Sequence, residues 1–233
     1  MKTVVCQLAL ALAFISLAQA QDREAPSTPT WEDKIAKGLV PYHQLTVDDF
    51  KIDDKAHAEA SFWIKPFVHP HYRYVRTWKD GWHYAYMAEW TVFSGFDKNE
   101  SSRKSKFKEM KRSLPFAQAY LDLNEIYARQ LAALLPGELP SGRGATQEEA
   151  RVALEKNLDA FLKQKYQLLQ AEGDAFLKGT NRGASEKKVL ELGKAIRKRL
   201  DAIPVPTKSP SNSQPATPAA SSTLQPTPSP VSK

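Results

Sequence analysis

The chain has 233 residues, a net charge of +7 and one cysteine, Cys6. A single early cysteine excludes a disulfide framework and leaves no thiol nucleophile in the body of the chain, so stability must come from a packed core. After residue 20 no stretch is apolar enough to span a bilayer, and the body of about 180 residues is long enough for one domain with a substantial core.

The first 20 residues, MKTVVCQLALALAFISLAQA, carry a short basic start, an apolar run and the small-x-small end Ala18-Gln19-Ala20. That is the pattern of a secretory signal peptide cut after Ala20, not of a membrane anchor, which needs a longer apolar run. The mature protein is therefore expected to be exported, periplasmic or extracellular. Residues 21–41 read as an N-terminal lead, 42–203 as the folded domain, and 204–233 as a tail. The tail contains eight prolines, many Ser and Thr and almost no large apolar residues. It is expected to be disordered with polyproline-II character.

Between residues 45 and 96 the signals are those of β-strands. HAEASFWIKPF (57–67) is rich in β-formers, with Pro66 ending it or placing it at an edge. YRYVRTWKDGWHYAYMAEWTVF (72–93) reads as a β-hairpin around Asp80-Gly81. A two-residue turn would pair Lys79 with Trp82 and put Tyr72, Tyr74 and Trp78 on the face opposite Trp82, Tyr84 and Tyr86. A three-residue loop would pair Trp78 with Trp82, Tyr74 with Tyr86 and Tyr72 with Ala88, gathering the aromatic residues on one face. The second register is expected.

From residue 105 the period becomes helical. The first long helix is expected from 105 or 113 to 135, stopped by Pro136-Gly137. Thr146 and Glu149 form a capping box that opens a second helix with the stripe Leu154, Leu158, Phe161, Leu162, Tyr166 and Leu169, interrupted at Gly173. FLKGTNRGAS (176–185) reads as a turn region and EKKVLELGKAIRKRLDAI (186–203) as a last helix. Antiparallel strands followed by about three helices predict an α+β domain.

Two basic clusters, RKSKFKEMKR (103–112) and KAIRKRL (194–200), account for much of the net charge. They read as a basic surface facing an acidic protein or an anionic envelope component rather than nucleic acid. No phosphate-binding glycine loop and no Gly-x-Ser-x-Gly elbow is present, and no cofactor is implied. His69 and His71, two apart on a strand, point the same way and are the weak candidates for a metal pair. In the expected register they face Thr91 and Glu89.

The first long helix carries Phe116, Tyr120, Leu123, Tyr127, Leu131 and Leu134 at helical spacing, a sufficient core stripe. Its stretch AQAYLDLNEIYARQL (117–131) also resembles the helix of a bacterial family of predicted secreted zinc-dependent proteases, a domain of unknown function whose helix reads roughly H-E-Q-G-H-F-D-I-x-E-x-Y-A-R. Gln118, Asp122, Glu125, Tyr127, Ala128 and Arg129 match. The two histidine positions fall on Phe116 and Tyr120, the catalytic glutamate on Ala117, and the glycine on Ala119. LTVDDFK (45–51) is similar to the family's L-x-W-x-D-F, with Val47 at the tryptophan. FDKNESS (96–102) is similar to F-x-x-x-x-S-W, with Ser102 at the tryptophan. FLKGTNRG (176–183) is similar to Y-D-x-x-T-x-H-G, with Thr180 and Gly183 kept and Arg182 at the histidine taken as third ligand.

The resemblance implies a zincin-like fold whose two helical histidines would hold zinc while the glutamate moves the proton of the metal-bound water. Phe116 has no lone pair for zinc, Tyr120 would ligate only as a phenolate, Ala117 cannot move a proton, and Arg182 repels a cation. The expectation is therefore a pseudopeptidase, a non-catalytic binding or scaffold module. The alternatives are a metal-dependent hydrolase built on His69 and His71, or an envelope-associated structural protein binding through its basic surface and tail. Of the matched residues, Glu125 and Arg129 form a favourable i,i+4 pair, Tyr127 is placed to pack, and Asp122 to bond a neighbouring strand or loop.

Overall fold

The computed structural model describes residues 29–57 and 60–205. The signal segment, residues 21–28 of the lead, residues 58–59 and the tail from 206 lie outside the described residues. The order of elements is α1 (Trp31–Ile35), β1 (Leu39–Pro41), β2 (Lys51–Ile52), β3 (Phe62–Trp63), β4 (Pro66–Lys79), β5 (Trp82–Asp97), β6 (Ser102–Arg103), α2 (Met110–Ala132), β7 (Ser141–Gly144), α3 (Gln147–Gly179) and α4 (Glu186–Asp201). The class is α+β, as expected, with four helices where about three were expected. None of these helices is long and apolar enough to cross a membrane among the described residues.

Residues 29–41, set apart as a lead by composition, belong to the fold. Thr30 caps α1 with its side chain, and Trp31 packs edge-on against Phe93 at 5.2 Å. β1 pairs antiparallel with β5, Val40 opposite Phe96. The larger sheet has the order β1-β5-β4, with β7 also on β5, and β2, β6 and β3 form a small second sheet.

The β4–β5 hairpin adopts the two-residue turn, not the expected three-residue loop: Lys79 pairs with Trp82 and Trp78 with His83. Asp80 and Gly81 both have positive φ, 51° and 79°, the condition of a type I′ turn, whose twist matches that of the strands. Asp-Gly meets this condition cheaply, and that local preference overrides the gathering of aromatic residues on one face. The register then shifts between Arg73 and Tyr74, since Arg73 faces Glu89 while Tyr74 faces Met87. The extra residue, Ala88, lets both halves of the hairpin keep an apolar inner face. Val68, Tyr72, Tyr74, Ala85, Met87, Trp90 and Val92 form that face with Leu154, Leu158 and Leu162 of α3. His69 and His71 accordingly face Phe93 and Thr91, not Thr91 and Glu89.

α3 begins at the Thr146–Glu149 capping box, as expected, but runs through Gly173 to Gly179 without interruption. Gly173 stays helical because its bare backbone packs against a neighbour: a Cβ there would sit 3.3 Å from the Tyr120 ring. β7 lies so close to α3 that a Cβ on Gly142 would fall 2.0 Å from the Ala150 carbonyl oxygen and 2.3 Å from Leu154 N. Both are backbone atoms, so the helix itself would have to move. Gly142→Ala should lower stability in urea unfolding by about 3 kcal/mol, whereas Gly137→Ala should change it by under about 1 kcal/mol. The control is apt because nothing lies within 4 Å of a Cβ on Gly137.

Candidate functional site

α2 is the central element. Every residue from Phe116 to Ile126 is buried, so the helix is enclosed on all sides rather than lying on one apolar face. Phe116 is 3% exposed, Ala117 0% and Tyr120 6%. The Phe116 ring stacks on Phe176 at 5.4 Å and meets Phe62 edge-on at 6.3 Å. The turn after α3 closes over it: a Cβ on Gly183 would lie 3.2 Å from the Phe116 ring. Tyr120 packs against Gly173. The positions that align with a zinc site are thus interior packing positions, and the residues on them do not fit a metal ion. Phe and Ala have no donor atom, and the Tyr120 side chain is enclosed by core.

Arg182 lies in the turn that follows α3. Asn181, Arg182 and Gly183 have φ of 51°, 52° and 84°, a left-handed run in which glycine is strain-free and the other two are not. Local bonds hold it: Thr180 Oγ1 donates to Phe176 O at 2.8 Å and accepts from Gly183 N at 3.3 Å, while Arg182 N donates to Leu177 O at 2.7 Å. Thr180 is fully buried. Arg182 itself is exposed.

The polar residues of the α2 motif have partners that are far away in sequence. Asp122, 2% exposed, accepts from Tyr42 Oη at 2.8 Å, from Gln118 Nε2 at 2.7 Å and from Arg197 at 3.0 Å. Arg197 also donates to Tyr42 Oη at 2.9 Å. Gln118 Oε1 accepts from Leu45 N at 2.6 Å. This network fixes the segment 42–50 and α4 to the same side of α2. Burial raises the Asp122 carboxyl above its ordinary range, outweighing the bonds and the Arg197 charge that lower it. Burial, then the bond to Asp122, pushes the Tyr42 hydroxyl up as well.

On another side, Glu125 pairs with Arg129 at 2.8 Å, and both side chains are largely buried. Ser94 of β5 donates to Glu125, and Arg129 donates to the Ile203 carbonyl at 2.9 Å. The pair therefore joins sheet, central helix and the end of α4. Sequence spacing reveals the i,i+4 pair but not Ser94, Tyr42 or Arg197. No local pattern points to residues 31, 80 and 75 positions from their partners.

His69 and His71 share a face of β4, as expected, beneath α1. His69 lies 4.6 Å from the Phe67 ring, and His71 Nε2 is buried without a hydrogen-bond partner among the described residues. Burial, then the nearby Lys34 charge, lowers both imidazoles, His69 to about 4. Among the described residues no group of three or more His, Cys, Asp or Glu is placed to hold a metal ion. Lys34 supplies a cation where a site would need carboxylates.

Set against known proteins, the chain matches no family model, no curated protein and no solved structure.

Because the fold keeps His69 neutral down to about pH 4 while an unfolded histidine protonates near 6.5, its contribution is complete above 6.5 and is lost as pH falls toward 4. The stability difference between the native chain and His69→Gln should therefore shrink by about 2 kcal/mol from pH 7 to pH 4, measured by urea unfolding at each pH. A constant difference would show that His69 does not titrate with unfolding.

Proposed function

We propose that this protein is an exported, non-catalytic binding or scaffold domain, a pseudopeptidase related to the secreted zinc-protease family that its α2 helix resembles. One observation carries the reading. The four chemical positions hold Phe116, Ala117, Tyr120 and Arg182; the first three are buried in a close-packed interior and the fourth faces solvent. The matched residues Gln118, Asp122, Glu125 and Arg129, by contrast, are each bonded to another part of the fold. Loss of the reactive groups with retention of the supporting ones is what a scaffold under structural demand leaves behind.

Charge indicates the partner. Arg112 of α2 pairs with Glu186 of α4 at 2.6 Å, and Gly183 touches Phe116, so the 182–187 turn runs alongside the first turns of α2. Lys108, Lys111, Arg182 and Lys187 are exposed around this junction. None of the four has an ion-pair partner among the described residues. They form a cationic patch outside the closed cleft, suited to a partner bearing carboxylates or phosphates.

The test uses Lys111→Glu, Arg182→Glu and Lys187→Glu together, with polyglutamate and phosphatidylglycerol vesicles as probes. The native chain should bind one of these at low salt and the triple variant about tenfold more weakly or worse. Polyglutamate binding alone would indicate an acidic protein, and vesicle binding alone an envelope surface. Equal binding by both chains would overturn the patch. Zinc-stimulated cleavage of unfolded protein by the native chain, abolished by chelator, would overturn the non-catalytic reading.

A further inference from the structure

Every exposed large aromatic side chain among the described residues lies on the β4–β5 hairpin: Trp78, Trp82 and Tyr86. Trp82, Tyr84 and Tyr86 alternate along β5 and so share its outer face, with Thr77 and Val75 of β4 opposite the two tyrosines. The Tyr84 and Tyr86 rings are parallel within 3° at 5.9 Å. Arg143 of β7 lies over Trp82 at 4.0 Å and toward Tyr84 at 6.0 Å. The result is a ridge of stacked planar groups beside a shallow apolar strip. Nearer the hairpin's base the same face is covered by α1, whose Trp31 sits on Phe93. Toward the tip it is bare: Trp82 is 39% exposed, Tyr86 38% and Val75 48%.

The chemistry of this face is that of a polyproline-II platform, in which flat aromatic rings pack against proline and their polar tips bond backbone carbonyls. Two cations of the face are engaged, Arg73 paired with Glu89 at 2.8 Å and Arg143 stacked on Trp82, which leaves Lys79, opposite Trp82, as its remaining cation. The chain carries a matching ligand. Residues 206–233 contain Pro206, Pro210, Pro215, Pro218, Pro226, Pro228 and Pro230, including a P-x-x-P at 215–218, and no acidic side chain. These 28 residues would span up to about 85 Å if extended as polyproline II. A domain of this size is about 40 Å across, so the segment reaches the hairpin from the end of α4. Tethering raises its effective concentration to the order of millimolar, enough for a weak proline–aromatic contact to be populated.

We propose that the Pro-rich segment 206–233 docks on the Val75–Trp82–Tyr84–Tyr86 face of its own chain.

Hydroxyl-radical footprinting of the purified chain with its tail intact, at low concentration, tests this against a full-length variant with those seven prolines changed to serine. Trp82 and Tyr86 should be oxidised about threefold more slowly in the native chain, while Trp78, on the other face of the tip, reacts equally in both. Val75→Ser with Tyr86→Ser, two exposed changes that leave the core intact, should in turn sharpen the NMR amide signal of Leu224 as the tail is released. Equal oxidation in both chains overturns the proposal. Protection that grows with protein concentration assigns the face to a second copy instead. Protection that is lost in high salt assigns it to a charged contact, since proline–aromatic docking is insensitive to salt.

Discussion

The structure depends on one constraint: α2 is buried on every side between Phe116 and Ile126 although four of those eleven residues are polar. Inside a protein an unbonded polar group costs about 1–3 kcal/mol, and a buried charge without its partner about 3–5 kcal/mol. Gln118, Asp122, Asn124 and Glu125 therefore have to be matched, and the matching dictates what surrounds the helix. Gln118 and Asp122 hold Leu45, Tyr42 and Arg197. Glu125, with Arg129, holds Ser94 and the carbonyl of Ile203. Asn124 is bonded within the helix, to the Tyr120 carbonyl at 2.9 Å. The N-terminal segment, the sheet and α4 are positioned by these bonds as much as by apolar packing.

The same enclosure accounts for the aromatic residues at 116 and 120. A helix face that opens onto a cleft can carry histidines bathed in solvent and metal. A face that is shut by Phe176, Gly173 and Gly183 needs apolar volume, and Phe116 and Tyr120 supply it. Ala117 and Ala119 keep the remaining sides thin enough for close approach, with Gly193 of α4 near Ala119. Once the interior is closed, contact with another molecule has to occur on the outside. There the molecule offers two surfaces of different chemistry, the lysine- and arginine-rich junction of α2 with the 182–187 turn and the aromatic ridge of the hairpin. On the readings proposed above, the first would draw an anionic partner and weaken with salt, and the second would draw flat apolar groups and be insensitive to it.

Much of this was legible locally. The α+β order, the capping box at Thr146 and the start of the last helix all follow from short-range rules, and short-range rules hold where nothing distant competes; the first long helix, expected to reach 135, ends at Ala132. The structure departs from short-range rules where two of them compete. In the hairpin, turn chemistry at Asp80-Gly81 outweighed aromatic grouping, and the shift at Ala88 then restored the inner face in a way that pattern reading does not anticipate. At Gly173 helix propensity predicted a break, but packing against Tyr120 kept the helix whole. Residues 29–41 read as part of the lead, yet β1 needs only a few backbone bonds to β5 to belong to the fold. At the candidate site, Phe116, Ala117 and Tyr120 were identifiable from spacing, but the outward turn of Arg182 and the roles of Tyr42, Ser94 and Arg197 depend on contacts between distant parts of the chain.

Phe116, Ala117 and Tyr120 are core, and side chains of that kind would let the fold stand without a metal ion. Native mass spectrometry of protein produced in zinc-supplemented medium and exchanged into chelator-free buffer tests it most directly, paired with thermal unfolding before and after chelation. The account predicts a folded, zinc-free mass and an unchanged unfolding temperature. One zinc retained per chain, with the fold lost when chelator removes it, would contradict it.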